Sequence, residues 1–179
     1  MPPMKPRLFL RELERTDLAT LNGWRANREL VDLLGSPFRY INREVDERWF
    51  DAYLANRQRH VRLAICDMAT REVIGVVYLL DIDWVNRDAE FAIQIGNPAS
   101  RGRGIGTEAT RLALDHAFDD LNLHRIHLTV LATNTAAISL YEKTGFRAEG
   151  LFRQAVFKEG RYVDMIAMAI LATDRLPAR

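Results

Sequence analysis

The chain has 179 residues, 48% of them hydrophobic and 27% charged, the make-up of an ordinary globular protein long enough to bury its own core. Its 25 basic and 24 acidic residues leave a net charge of +1, which argues against a general nucleic-acid binder, since those show a basic excess. The one cysteine, Cys66, excludes an internal disulfide and reads as a small buried strand residue of a protein kept in a reducing compartment.

In chain order, the opening MPPMKPRLFL has neither the apolar core nor the small-residue cleavage site of a signal peptide. Arg7 to Leu13 reads as a first strand, with Leu8, Phe9 and Leu10 feeding both faces. Thr16 and Asp17 start a helix that carries Leu18, Leu21 and Trp24. ELVDLLG continues as a short second helix ended by Gly35, with Pro37 beyond it. From Asn42 a longer helix brings Val45, Trp49, Phe50, Tyr53 and Leu54 to one face, most of them as core. VRLAICD and VIGVVYLLDID then read as an antiparallel pair of strands. DAEFAIQIG is a third, with Phe91, Ile93 and Ile95 on one face and Glu90, Ala92 and Gln94 on the other.

After a glycine-rich segment, Ile105, Ala109, Leu112, Ala113 and Ala117 mark a helix stripe. RIHLTVL returns to strand, NTAAISLYEKTG is a helix from Asn134 to Gly145, and LFRQAVF and YVDMIAMAIL form a hairpin around KEGR. No linker or repeat interrupts the chain, and no apolar run nears the ~20 residues that span a bilayer. One domain over residues 1–179 is expected, of α+β class with a mixed sheet rather than a doubly wound one. A cytoplasmic protein with no nucleic-acid or membrane partner follows from the same features.

The glycine-rich segment ASRGRGIGTEA, residues 99–109, admits three phosphate-binding readings. A P-loop needs a lysine before its Ser or Thr, and here Gly106 precedes Thr107. Gly104-x-Gly106-x-x-Ala109 matches a dinucleotide fingerprint, but residues 97–103 separate it from the preceding strand and no repeated βαβ unit surrounds it. The third is an anion cradle, in which N–H groups at a helix start converge on one concavity and Arg101 and Arg103 add full charge, against the plainer reading of a solvated glycine turn with two surface arginines.

Arg101-x-x-Gly104-x-Gly106, followed downstream by Asn134 and the run TAAISLYEKTGF, resembles the GNAT N-acetyltransferases, whose R/Q-x-x-G-x-G/A motif holds the pyrophosphate of acetyl-CoA. AEFAIQIG and RIHLTVL stand where that family's two splayed central strands would be. GFRAEGLFRQAVFKEGRYVDMIAMAI is similar to the end of the RimJ/RimL-like branch, which also holds polyamine and nucleotide-sugar acetyltransferases. The likeness runs over nearly the whole chain, including LRELERTDLATLNGWRANREL. It implies a mostly antiparallel sheet of about seven strands, splayed between the fourth and fifth and flanked by helices. It also implies an acetyl-CoA-dependent N-acetyltransferase working by direct attack in a ternary complex. The acceptor is then a protein N-terminal amine or a small-molecule amine. The alternatives are a spermidine-type polyamine or amino-sugar acetyltransferase, or a sensor that binds acetyl-CoA without catalysis. A homodimer belongs to the same set of expectations.

Acetyl transfer requires an anchored cosubstrate, a polarised thioester carbonyl, a neutral amine and a protonated leaving thiolate. An alkylammonium titrates near ~10.4, so a base or a desolvating pocket must free the amine. Arg101, Gly102, Arg103, Gly104, Ile105, Gly106 and Thr107 are the candidate anchor. The resemblance implies that the backbone of Ile93 and Ile95 pairs with the pantetheine arm, one N–H donating to the thioester oxygen. Asn134 would bond the cosubstrate's amides, cap its helix, or both. Tyr141, seven residues on, is the candidate proton donor to the thiolate, against a plain packing role. Glu90 is a base, or else a solvated charge or a partner for Arg87, with Glu108 as the alternative base. Phe38, Arg39, Tyr40 and Trp84 would line the acceptor site, with Asp81, Asp83 and Asp88 attracting a cation. His124 and His127 lie in strand rather than in a zinc site, so no metal is expected.

Overall fold

Alternation of apolar side chains along the strands builds a seven-stranded sheet of order β1-β2-β3-β4-β5-β7-β6. The computed structural model describes residues 7–175; residues 1–6, where part of the signal-peptide reading falls, and residues 176–179 lie outside it. The elements run β1 (Leu8–Glu12), α1 (Leu18–Ala26), α2 (Arg28–Val31), α3 (Arg43–Ala55), β2 (Val61–Asp67), β3 (Val73–Asp83), β4 (Asp88–Ile95), α4 (Ile105–Asp115), β5 (Arg125–Leu131), α5 (Thr135–Lys143), β6 (Arg147–Lys158) and β7 (Arg161–Leu171). Asparagines start three of the helices: the side chains of Asn27, Asn42 and Asn134 accept from the N–H groups of Leu30, Val45 and Ala137.

Two apolar clusters lie on opposite faces of the sheet. On one face Ala89 and Phe91 of β4, with Ile126 and Leu128 of β5, pack under Ile105, Ala109 and Ala113 of α4 and Tyr141 of α5. On the other, Leu18 and Leu21 of α1 and Phe50 and Tyr53 of α3 cover Ala64, Cys66 and Val76. Cys66 is accordingly buried. Leu112, Val45 and Leu54, expected among the apolar stripes, are exposed instead; they flank the buried stripes of α4 and α3, which are narrower than the sequence periodicity suggests.

Every neighbouring pair of strands is antiparallel except β4 and β5. Those two pair in parallel over three positions only: Asp88 with Arg125, Ala89 with Ile126 and Glu90 with His127. Ion pairs secure this short seam, Arg125 bridging Asp88 at 3.2 Å and Glu149 at 2.6 Å, with His127 3.1 Å from Asp88. Beyond Glu90, β4 keeps its partner β3 and β5 keeps β7, so the strands part. The expected splay between the fourth and fifth strands is therefore present.

Helix α1 is docked against the end of β4 through a missing side chain. A Cβ added at Gly96 would stand 1.9 Å from Cε2 of Trp24, so the indole occupies the space of any side chain there. Gly96→Val should destabilise the fold by about 2 kcal/mol through overpacking, read as a lower denaturant midpoint with an unchanged slope. An unaltered midpoint would show that Trp24 swings aside freely.

Candidate active site

The parted edge of β4 is the first element of the site. The N–H of Gly96 donates to the Ile74 carbonyl of β3 at 3.0 Å. A strand's polar groups alternate sides, so those of Ile95 and Ile93 point the other way, into the opening beside β5. The Ile95 carbonyl is met there by Nε of Arg101 at 3.3 Å. Ile93 and Ile95, expected from the resemblance to pair with the pantetheine arm, thus lie on the edge of β4 that β5 leaves, with the Ile95 carbonyl engaged by Arg101.

The glycine turn closes one end of this opening. Gly102 and Gly104 hold φ of +69° and +78°, a region that costs a residue with a Cβ ~1–2 kcal/mol. Helix α4 begins with Gly104 as its N-cap, and its first internal bond runs from the Glu108 N–H to the Gly104 carbonyl. The N–H groups of Ile105, Gly106 and Thr107 therefore have no helical acceptor. Nη2 of Arg101 is buried with no hydrogen-bond partner among the described residues, and Arg103 stands exposed. Gly106 also serves packing: a Cβ there would lie 2.6 Å from Cδ1 of Leu140, so its smallness brings α4 against α5.

At the parting point the two faces carry different chemistry. Tyr141 sits in the α4/α5 cluster, edge-on to Phe91 at 6.3 Å and 5.6 Å from Phe146. Burial pushes its phenol up to about 12. The Glu90 side chain alternates to the opposite face, half-buried. Among the described residues no hydrogen bond or ion pair engages its carboxylate; the suggested partner Arg87 bonds the Asn122 carbonyl instead. The alternative base Glu108 is held by Arg7.

A loop roofs the opening on the Glu90 side. After α2 the chain crosses to the far half of the sheet, where Lys158 of β6 donates to the carbonyls of Val31 and Ser36 at 2.9 and 2.5 Å. Asn134 donates to the Leu33 carbonyl at 3.0 Å. With its oxygen capping α5, Asn134 has one N–H left for a ligand. The same crossing corrects the expected helix through Gly35: α2 stops at Val31. Past Val31 the backbone keeps turn bonds, Leu33 N–H to the Leu30 carbonyl and Leu34 N–H to that of Val31, while Asn134 and Lys158 take the carbonyls of Leu33 and Ser36. Phe38 and Tyr40 project from this loop, stacked edge to face at 5.4 Å, with Arg28 over Phe38. Trp84, expected to wall the other side, lies on the β3–β4 turn, its indole donating to the Gln58 carbonyl at 2.8 Å.

The profile of the acetyltransferase (GNAT) domain matches residues 7–147. The chain belongs to the GNAT acetyltransferase family. The spermidine N(1)-acetyltransferase of Vibrio cholerae serotype O1 is 34% identical over 174 residues, 97% of this chain and 98% of that protein. The protein of the same name from Escherichia coli K12 is 34% identical over 174 residues, 94% of this chain and 88% of its own. A crystal structure of the spermidine N-acetyltransferase from Vibrio cholerae in complex with CoA and spermine superposes with a TM-score of 0.88. It has 33% identity and covers 94% of this chain and 97% of that one.

As a GNAT enzyme the chain is an acetyl-CoA-dependent N-acetyltransferase. The turn suits that cosubstrate: an orphaned Arg101 donor, unpartnered helix N–H groups and side-chain-free glycines meet where a pyrophosphate needs neutral walls and positive charge. No helix among the described residues is long and apolar enough to cross a membrane.

One feature of this GNAT site escaped the motifs. On the Glu90 face the guanidiniums of Arg25 and Arg62 lie 4.4 and 4.3 Å from the centre of the Trp49 ring. Buried Asp46 neutralises Arg25, whereas no carboxylate pairs with Arg62 among the described residues. Desolvation by burial lowers the pKa of both arginines from the ordinary value. Arg62 stands abreast of Tyr78, which stands abreast of Ala92, so this group flanks the parting point. An arginine set among apolar strand residues, as in VRLAI, is the one trace of it in the sequence. The acidic residues expected to attract a cation have protein neighbours: Asp81 lies 3.8 Å from Arg59, Asp83 accepts from Asn86, and Asp88 belongs to the seam.

Proposed function

We propose that this single-domain enzyme acetylates a primary amine of polyamine type by direct attack in a ternary complex. The carrying observation is the unpartnered, half-buried Glu90 carboxylate on the face opposite Tyr141. An ammonium drawn to Glu90 gives up its proton there, directly or through one water, and the amine attacks across the parting point. Acetyl-CoA supplies the thioester. The Ile93 or Ile95 N–H donates to its oxygen as negative charge develops. Tyr141, kept protonated by burial, donates a hydrogen bond to the sulfur on the other face as its bond to the acetyl carbon breaks; the departing thiolate takes its proton from solvent, and Glu90 returns the amine's proton there. Arg101, Arg103 and the N–H groups from Gly102 to Thr107 hold the pyrophosphate. The polyamine reading is supported by similarity along almost the full chain to spermidine N(1)-acetyltransferases, which favours it over the protein N-terminal amine expected first.

A second reading rests on Arg62. A half-buried guanidinium with no carboxylate on it among the described residues suits an acceptor that carries oxygen acceptors close to the amine, as the first carbonyl of a peptide or the hydroxyls of an amino sugar do. Thiol release with spermidine, spermine, an N-terminal peptide and an amino sugar separates the two. The polyamine reading expects kcat/KM at least tenfold higher for spermidine or spermine than for the peptide and the amino sugar, and a reversed order assigns the site to the second. CoA binding with no turnover on any amine would leave a sensor.

Glu90→Gln should lower kcat/KM by about a hundredfold at neutral pH. The deficit should shrink as pH approaches ~10, where the free amine no longer needs a base. A deficit constant across pH would remove Glu90 from the proton path.

A further inference from the structure

Arg7 belongs to none of the motifs, yet it makes the densest set of contacts at the glycine turn. Its backbone N–H donates to Oε1 of Glu108 and its Nε to Oε2, each at 3.0 Å. Its Nη1 donates to the Arg103 carbonyl at 2.8 Å. Its Nη2 lies 3.3 Å from where a Gly104 Cβ would stand. The residue just before β1 is thus fastened to the first turn of α4, across 101 residues of sequence.

Two consequences follow from elementary geometry. A trans peptide is planar, with its C=O and N–H pointing in opposite directions. Because Arg7 holds the Arg103 carbonyl on its own side, the N–H of Gly104 in the same peptide is aimed away from Arg7. That control matters where it is applied: Gly102 and Gly104, both at positive φ and without side chains, leave the intervening peptides little other restraint. The second consequence is electrostatic. Glu108 in the first turn of α4 sets a carboxylate beside the anion cradle, where it would repel a pyrophosphate. Arg7 neutralises that charge and holds it aside.

We infer that Arg7 is a positioning residue for the pyrophosphate cradle: it fixes the 103–104 peptide plane and cancels Glu108. This inference rests on the reading of the glycine turn as the cradle. Calorimetric titration with CoA tests it, alongside turnover of S-acetylpantetheine, which has the thioester but no pyrophosphate. Arg7→Ala should weaken CoA binding about tenfold and leave kcat/KM for S-acetylpantetheine within twofold. Adding Glu108→Gln should recover part of the lost CoA affinity, because the uncompensated carboxylate is gone.

Three results would overturn the assignment. Arg7→Ala could bind CoA as tightly as the unaltered protein. It could damage S-acetylpantetheine turnover equally, which marks a general structural role. The double variant could recover nothing, which removes the neutralising role. Failure of the cradle itself would look different, since Gly104→Glu would then leave CoA affinity unchanged whatever Arg7 does.

Discussion

Gly104→Glu should abolish measurable acetyl-CoA binding, the largest effect expected of any single change in this protein. Three costs add up at that position. The φ of +78° disfavours any residue with a Cβ. The new side chain would start 3.3 Å from Nη2 of Arg7, so its carboxylate would compete with Glu108 for the cation that shapes the turn. A fixed negative charge ~4 Å from a phosphate costs about 4 kcal/mol at an effective dielectric of ~20, roughly a thousandfold in affinity. Calorimetry with CoA reads the loss directly, and Gly104→Ala, with the backbone strain but no charge, should fall between. Wild-type affinity in Gly104→Glu would move the pyrophosphate elsewhere.

Tyr141→Phe should lower kcat by about a hundredfold or more while leaving the Kd for CoA and the folding stability nearly unchanged. The separation comes from how the side chain is used. Its ring packs against Phe91 and Phe146, and phenylalanine keeps those contacts. Its hydroxyl has no protein partner among the described residues, so its removal orphans nothing. With the phenol pushed up to about 12, complete proton transfer to a thiolate is uphill, because a thiol titrates near ~8.5. On the proposed mechanism the hydroxyl's contribution is therefore a hydrogen bond to the developing negative charge, which strengthens only in the transition state. Burst or steady-state thiol release on the best amine measures it. Turnover within twofold of the unaltered enzyme would reduce Tyr141 to a packing residue.

Local patterns carried much of this architecture. The alternation Glu90-Phe91-Ala92-Ile93 defines the two faces of β4, and the seven-residue spacing from Asn134 places Tyr141 on the helix that covers one of them. Other features depend on pairs of residues remote in sequence and leave no period to read. Arg7 meets Glu108, Lys158 meets Val31, and Arg25, Trp49 and Arg62 converge from α1, α3 and β2. Each is a single long polar side chain whose partner is chosen by tertiary geometry. The roof loop shows the same limit. ELVDLLG has the composition of a longer helix, but carbonyls just beyond it are taken by Lys158 and Asn134. The acceptor side was the least legible part, because its walls come from these encounters rather than from a motif.

The seam of three residue pairs between β4 and β5 also governs traffic. Where the strands part, the sheet becomes a wall with a slot, Tyr141 on one side and Glu90 on the other. Reactants using the two sides have separate doorways and meet only at the slot. On the proposed two-sided reading neither reactant blocks the other's approach, so steady-state kinetics should show no compulsory order of binding or release.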